Sequence, residues 1–487
     1  MERTTSLNDA GIDAPGIVAG RLAACDYAAR FSDSHPPLNA IQAQIEAERC
    51  YYCFDAPCTQ VCPTSINVPQ FIHRIAQGNV RGAAETILEA NPLGGMCARV
   101  CPTENLCERD CVRNTNEAKP VEIGLLQRFA TDAYFADPGD PLFVRAPATG
   151  KRVAVVGAGP AGLAAAHRLT LLGYDVVLFE ARAKLGGLNE YGLASYKTTN
   201  GFAQKEVDWL LSIGGIEVRT GQVLGRDITV DGLVAAYDAV FLGLGLAGVN
   251  ALGIAEPQLV GLRDAVDFIA DLRQAGDFAE VRVGRSVVVI GGGMTAVDAA
   301  VQSRKLGARE VTIVYRRGAD AMSASTYEQE WAQKNGVTIR HWAAPKEVLG
   351  VDGAVVGVRF ATTKSEGGRL VETGETFTLA ADMVLKAIGQ SFIDEPVGAA
   401  IELERGRIRA DEDGRTSHAK VWAGGDCRYG GLDLTVDAVA QGVHAAARHA
   451  DVAEQKLHHR HGADHLCAGG VLRPAQCIKN GAGFVGC

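Results

Sequence analysis

Eight cysteines fall between residues 50 and 111, in two runs that each contain a Cys-Pro step. The first run is Cys50-x2-Cys53-x4-Cys58-x3-Cys62-Pro63, and the second is Cys97-x3-Cys101-Pro102-x4-Cys107-x3-Cys111. Gaps this short let backbone turns aim several sulfurs at one inorganic cube, and proline after a cysteine stops the chain from continuing inward. Thiolates in this arrangement are ligands for iron–sulfur clusters. The array therefore marks an electron carrier.

Bacterial ferredoxins use the related spacing C-x2-C-x2-C-x3-C-P, in which the fourth cysteine serves the other of two clusters. Zinc is the competing reading, because Cys50-x2-Cys53 alone suits a tetrahedral structural site. Zinc requires four ligands per site and no Cys-Pro closure, so eight thiols with x3 and x4 gaps fit two [4Fe-4S] clusters better. A disulfide framework belongs to short secreted chains. This chain has 487 residues, and its opening MERTTSLNDAGIDAPG lacks a charged segment followed by an apolar one. The cysteines read as metal ligands of a cytoplasmic protein.

A chain of this length is expected to contain two to four domains. Its 47% apolar and 22% charged residues are ordinary for a soluble protein, and its net charge of -9 argues against nucleic-acid binding. No run of 18 apolar residues escapes interruption by glycine or charge, so no membrane span is expected. Glycine is the unusual count, at 57.

Residues 1–147 carry no strong strand signal, whereas VPQFIHRIAQ (68–77) and RGAAETILEA (81–90) place apolar residues at helical spacing. This predicts an α-helical domain around the clusters, followed by the Pro/Gly-rich stretch 137–150. From Lys151 the pattern becomes α/β. RVAVV (152–156) runs into Gly157-Ala158-Gly159-Pro160-Ala161-Gly162 and a helix, and DVVLFE (175–180) forms the next strand. The unit recurs further along the chain, with SVVVI (286–290), Gly291-Gly292-Gly293-Met294-Thr295-Ala296, a helix and EVTIVY (310–315). YDAVFLGLG (237–245), VLKAIG (384–389) and VWAGGD (421–426) each read as a strand entering a glycine turn. The fold class is thus an N-terminal α-helical iron–sulfur domain followed by two interleaved Rossmann-like domains. Residues 150–250 and 391–455 form the FAD-binding domain and 281–390 the NAD(P)-binding domain. The tail, 456–487, has no assigned role; its Cys467, Cys477 and Cys487 read as free thiols.

Gly157-x-Gly159-x-x-Gly162 gains weight from its strand–turn–helix context and from Glu180, the acid that ends the following strand. The first glycine makes the tight turn and the second admits the pyrophosphate. The third lets helix and strand pack, and Glu180 is placed to bond ribose hydroxyls. In the second fingerprint Ala296 replaces the third glycine, which the motif tolerates, and the second strand ends in Tyr315-Arg316-Arg317 rather than an acid. Arginine there commonly meets the 2′-phosphate of NADP, though both guanidiniums could equally be solvated or lie over adenine. Asp426, after Gly425, suits the ribityl oxygens of a flavin. Gly187 and Leu188, Leu224, and Ala387 and Gly389 of the VLKAIG turn complete the expected cofactor contacts. No cysteine pair lies near the first fold, which argues against disulfide-reductase chemistry.

The ordered set in residues 45–450 resembles the electron-input half of dihydropyrimidine dehydrogenase and, more distantly, the small subunit of glutamate synthase. ERCYYCFDAPCTQVCPTSINVPQFI, NPLGGMCARVCPTENLCERDC, IGLLQRFATD, GGLNEYG (186–192) and AVFLGLGLAGVN (239–250) carry the resemblance. It implies that Cys50, Cys53, Cys58 and Cys111 hold one [4Fe-4S] cluster. Cys62, Cys101, Cys107 and the unusual ligand Gln127 hold the other, leaving Cys97 over. Two positions depart from the pattern. Lys197 stands where the fused enzyme has a flavin-contacting arginine, keeping charge without the bidentate fork. Ser323 stands where a third arginine would meet the NADP phosphate, which favours NADH while leaving NADPH possible.

The chain stops before any pyrimidine-reducing barrel, so it looks like a separate subunit. The resemblance implies hydride transfer from NADH at the second fold to FAD at the first. Single electrons then pass through the clusters to an FMN/iron–sulfur catalytic partner that reduces uracil or thymine, in a heterotetramer. No catalytic acid, base or nucleophile is assigned to this chain. The alternatives are a glutamate synthase small subunit, an orphan NAD(P)H:ferredoxin-type reductase, and a scaffold that keeps flavin for structure.

Overall fold

Residues 16–448 are described by a computed structural model; the expected tail and its three cysteines lie outside them. Helix α1 (Ala24–Arg30) precedes the cysteine runs. Ile17, Tyr27 and Phe31 are buried with Phe268, Ile269 and Val301, so this segment packs on the second Gly-turn fold rather than on the cluster domain. The expectation of one helical unit over 1–147 is therefore narrower in space. The helices around the cysteines are α2 (Ala40–Glu48), α3 (Val68–Ala76), α4 (Val80–Ala90), α5 (Gly94–Val100) and α6 (Ile123–Ala136). Capping explains where α3 and α4 begin. Asn67 accepts from the Gln70 N–H and Asn79 from the Gly82 N–H, satisfying donors that have no partner within the helix. Their apolar faces meet in a core of Ile66, Phe71, Ile72, Ile75, Ile87 and Leu126, against which Cys50, Cys58, Cys62, Cys107 and Cys111 pack.

The first fold is a five-stranded parallel sheet. Its strands are β1 (Arg152–Val156), β2 (Asp175–Phe179), β3 (Ile216–Arg219), β4 (Ala239–Leu242) and, from much later in the chain, β13 (Val421–Ala423), in the order β13-β4-β1-β2-β3. Between β4 and β13 lies the second parallel sheet. It is built from β5 (Leu262–Asp264), β6 (Ser286–Gly291), β7 (Glu310–Val314), β8 (Thr338–Arg340) and β12 (Met383–Ala387), in the order β5-β12-β6-β7-β8. Helices α7 (Pro160–Leu171) and α9 (Met294–Lys305) follow the two glycine turns; α8 (Phe202–Leu211) and α10 (Thr326–Lys334) flank them. Strand centres are buried on both faces, which is why their sequences are nearly unbroken Val, Ala, Ile and Leu. An antiparallel sheet of β9 (Ala343–Val351), β10 (Ala354–Glu366) and β11 (Arg369–Ala380) leaves the second fold before β12. The sequence reading did not separate it, because β11 is exposed along most of its length and lacks an apolar face.

Candidate functional site

Four of the expected ligands share one recess. Cys50, Cys53, Cys58 and Cys111 line a space of about 370 Å³, part of it open to solvent, with Val68, Ile72, Val121 and Ile123 behind them. Burial pushes the Cys58 thiol up to about 12, and its neighbours Cys50 and Cys111 add to the shift. Cys50 is raised for the same first reason. Thiols crowded together without a cation resist ionisation, and cationic iron reverses that balance, so loading releases protons. Two backbone donors already point at sulfur: Tyr52 N–H at 3.4 Å from Cys50 and Val121 N–H at 3.5 Å from Cys111. Such bonds stabilise thiolates and tune cluster potentials. The donor set fits a thiolate-bound cluster.

The second group is deeper. Cys62, Cys101 and Cys107 feel one another's charge, and Cys101 is raised well above the ordinary thiol range, first by its hydrogen bond with Cys97 and then by burial. Burial raises Cys107 strongly, with the Glu108 carboxylate adding. Cys97, set aside by the resemblance, is thus beside Cys101 and only 2% exposed. Gln127 on α6 is buried, and its Nε2 donates to Gly94 O at 2.7 Å. A carbonyl can only accept, so the amide nitrogen faces Gly94 and Oε1 remains the free acceptor end. Gly94 opens α5, the helix that carries Cys97 and leads into Cys101.

At the first glycine turn, a Cβ on Gly157 (φ +94°) would stand 2.3 Å from Gly243 O, and one on Gly162 would stand 1.9 Å from Gly157 O. Gly159 has nothing nearer than Gly187 Cα at 3.9 Å, so its face is open to a phosphate. Pro160 and Ala161 start α7. Gly187 (φ +54°) lies against Gly159 and leads into a short helix from Leu188. Glu180, at the end of β2, is nearly buried; Oε2 accepts from Ala158 N–H and Oε1 from Arg182 N–H, both at 2.8 Å. The acid expected at a ribose therefore also clamps the glycine turn. Leu224 sits in the core with Val156 and Phe179. Strand β13 delivers Gly425 (φ +77°), whose N–H donates to Gln441, and then Asp426. Burial raises the Asp426 carboxyl to about 6, with Asp433 adding and Arg407 opposing.

The second turn has the same build and a different rim. A Cβ on Gly291 would stand 2.1 Å from Ala387 O at the end of β12, one on Gly292 2.5 Å from the Tyr315 ring, and one on Gly293 3.1 Å from Ser323 Oγ. Met294 and Thr295 form the first turn of α9. Arg316 and Arg317 are exposed beyond β7, and Gly389 (φ +94°) follows β12.

Lys197 does not project alone toward a flavin. Its Nζ lies 2.8 Å from Asp298 on α9 and 2.7 Å from Glu328 on α10, so it ties the first fold to the second. Burial alone would lower its pKa, but the two carboxylates more than offset that and raise it. Tyr196 OH and Ala194 N–H also donate to Asp298. Two further acids join the domains, one buried and one half-buried. Glu206 on α8 accepts from the N–H groups of Gly95 and Met96 at the start of α5, and burial raises it to about 8. Glu104, between Cys101 and Cys107, accepts from Ser325 Oγ at the start of α10. The sequence reading missed Asp298, Glu328 and Glu206. Only Asp298 carries a signal, an isolated acid among apolar neighbours in TAVDAAV; Glu206 in QKEVD and Glu328 in YEQEW sit among other polar residues and carry none.

Residues 151–442 match the family described as pyridine nucleotide-disulphide oxidoreductase. The chain belongs to that family. Residues 27–138 match a second description, dihydropyrimidine dehydrogenase domain II, 4Fe-4S cluster. Together they make this oxidoreductase an NAD(P)H-dependent flavin enzyme with FAD, a nicotinamide nucleotide and 4Fe-4S chemistry. The first name's disulphide does not transfer in detail, since Cys427 is the one cysteine within residues 151–442. The glutamate synthase [NADPH] small chain of Escherichia coli K12 is 34% identical over 85% of this chain and 92% of its own length. The NAD-dependent dihydropyrimidine dehydrogenase subunit PreT of Escherichia coli O157:H7 is also 34% identical, over 90% and 98%. Mycobacterium tuberculosis FprA in complex with NADPH is 21% identical with a TM-score of 0.52, covering 64% of this chain and 86% of that one, which speaks for the fold alone. No helix among the described residues is long and apolar enough to cross a membrane.

Proposed function

We propose that this oxidoreductase is the electron-input subunit of a two-component dihydropyrimidine dehydrogenase, taking reducing equivalents from NADH and handing them to a separate FMN/iron–sulfur subunit that reduces uracil or thymine. The observation that carries this reading is the dihydropyrimidine dehydrogenase domain II match over the cysteine array, joined to both dinucleotide folds in one chain. The resemblance of the first cysteine run favours it over the glutamate synthase reading, while the relatives of both names are equally similar at 34% identity. When bound, FAD accepts hydride from reduced nicotinamide and iron–sulfur clusters carry single electrons. The chain's own residues hold and orient. Gly157, Gly159 and Gly162 bring backbone to a pyrophosphate, Glu180 and Asp426 offer acceptors to hydroxyls, and Gly292, Gly293, Met294 and Thr295 serve the nicotinamide nucleotide. Cys50, Cys53, Cys58 and Cys111 hold the first cluster, and Cys62, Cys101, Cys107 and Gln127 the second.

Co-expression with a pyrimidine-reducing subunit tests the reading. The pair should co-purify as a heterotetramer and oxidise NADH faster than NADPH when uracil is added. Oxidation that depends instead on glutamine and 2-oxoglutarate with an amidotransferase partner would replace it by the glutamate synthase reading. A chain that reduces no dye with either nucleotide would be a scaffold. The eighth ligand is settled by pairing Q127L with C97S: the assignment requires Q127L to alter the cluster EPR spectrum and C97S to leave it unchanged.

A further inference from the structure

The edge of the second sheet carries an aromatic side chain that none of the expected contacts uses. Strands β7 and β8 are neighbours, and the segments leaving their carboxyl ends are stitched together. Tyr315 N–H donates to Arg340 O at 2.9 Å, Ala343 N–H to Tyr315 O at 3.1 Å and Trp342 N–H to Arg317 O at 3.2 Å. Thr363 on β10, 3% exposed, holds both segments at once. Its Oγ1 donates to Arg316 O at 2.7 Å and its N–H to Trp342 O at 2.8 Å.

Within this frame Trp342 has φ +59°, a left-handed conformation that bulky side chains rarely adopt. The residue is 37% exposed and its indole lies against Gly318, where a Cβ would come within 2.9 Å of Cζ2. A tryptophan that merely fills space does not need this backbone, and strained conformations held by surrounding hydrogen bonds cluster at ligand sites. In open parallel sheets ligands bind beyond the carboxyl ends of the strands. The residue ending the second strand of the unit marks the adenosine ribose. Here that residue is followed by Arg316, Arg317 and Gly318, and the indole stands beside them.

We infer that Trp342 is a specificity-determining residue, whose indole face stacks on the adenine ring of the nicotinamide dinucleotide bound at the second fold. The inference rests on that fold being the nicotinamide site and is independent of which partner receives the electrons. Aromatic–base stacking is worth one to two orders of magnitude in binding when the aromatic is removed.

The test is dye reduction by the full flavin- and cluster-loaded chain. It compares NADH with reduced nicotinamide mononucleotide, which lacks the adenosine half. W342A should raise the KM for NADH about tenfold and shrink the advantage of NADH over the mononucleotide by the same factor, while W342F keeps most of that advantage. An unchanged advantage in W342A, or an equal loss on both donors, overturns the stacking. Should W342A lose flavin, W342L against W342F makes the same comparison with the π face alone removed. G293V, which blocks backbone approach to phosphate, should weaken both donors. If G293V changes neither, the second fold is not the nicotinamide site; if G293V acts and W342A does not, only the stacking fails.

Discussion

At the first glycine turn, the residue ending the second strand is an acid whose two oxygens already accept from Ala158 and Arg182 N–H. At the second turn, the same place leads to Arg316 and Arg317, whose side chains are exposed. The two sheets share their parallel build and their crowded glycines, so the difference lies in what surrounds the turn. The first fold is closed by β13, a strand that returns only after the whole second fold has been built and brings Gly425 and Asp426 with it. The second is left open at its arginine rim. That contrast suits one dinucleotide that is kept and another that exchanges.

The largest effect that would break the contrast is at the turns themselves. A Cβ at Gly162 meets the backbone oxygen of Gly157, which cannot give, whereas one at Gly293 meets the hydroxyl of exposed Ser323, which can rotate. G162A should therefore purify with little flavin, read from absorbance near 450 nm, and G293A should keep a full complement with a modest rise in nicotinamide KM. Equal flavin in both would remove the distinction. Next in size is the lysine joining the folds. K197A leaves Asp298 and Glu328 buried without their cation, which costs about 3–5 kcal/mol. Thermal unfolding should move down accordingly, and adding D298N and E328Q should recover much of it, because the loss comes from unpaired charge. A K197A protein as stable as the parent would mean that the triad does not hold the folds together.

Most of this layout was legible in the sequence because its signals are local. Cysteine spacing, glycines between a β-branched run and a helix, and strand-end residues are each set within a few positions. The antiparallel excursion from Ala343 to Ala380 was not, since β11 packs too little to show an alternating pattern. The reading of Lys197 was incomplete for a different reason. Its partners belong to the other fold, and only the docking of α9 and α10 on residues 194–197 makes it an ion-pair centre. Cys97 shows the same limit. Spacing places it in the run, resemblance sets it aside, and folding puts it beside Cys101.

Asp426 sharpens the comparison through pH. Its folded pKa, about 6, lies above the ordinary 3.8, so the folded flavin-free protein binds more protons than the unfolded chain between those values. Asp426's contribution to the stability of the flavin-free protein should fall as pH rises from about 4 to about 6 and level off above, while Glu206, raised to about 8, gives a further decline at higher pH. D426N should remove Asp426's share of the slope, read as the difference in stability between variant and parent across pH, and stabilise the flavin-free protein at pH 7 by no more than about 3 kcal/mol. The same substitution should weaken flavin retention, because the amide removes an anionic acceptor. A D426N protein that loses neither that share of the slope nor flavin would place Asp426 outside the first site.

The smallest effect belongs to the open rim. Arg316 and Arg317 are solvent-exposed, so each bond they offer a phosphate is weakened by screening, and Ser323 supplies no third guanidinium. If NADH is the donor, replacing both arginines by alanine should raise its KM no more than about threefold. The KM for NADPH should rise about tenfold, since only the 2′-phosphate engages charge. S323R should move the preference the other way by supplying the missing fork beside Gly293. The parent and these two variants turn nucleotide choice into a count of guanidiniums at one rim. A parent that prefers NADPH, with the double variant losing that preference, would reverse the choice of donor while keeping the site.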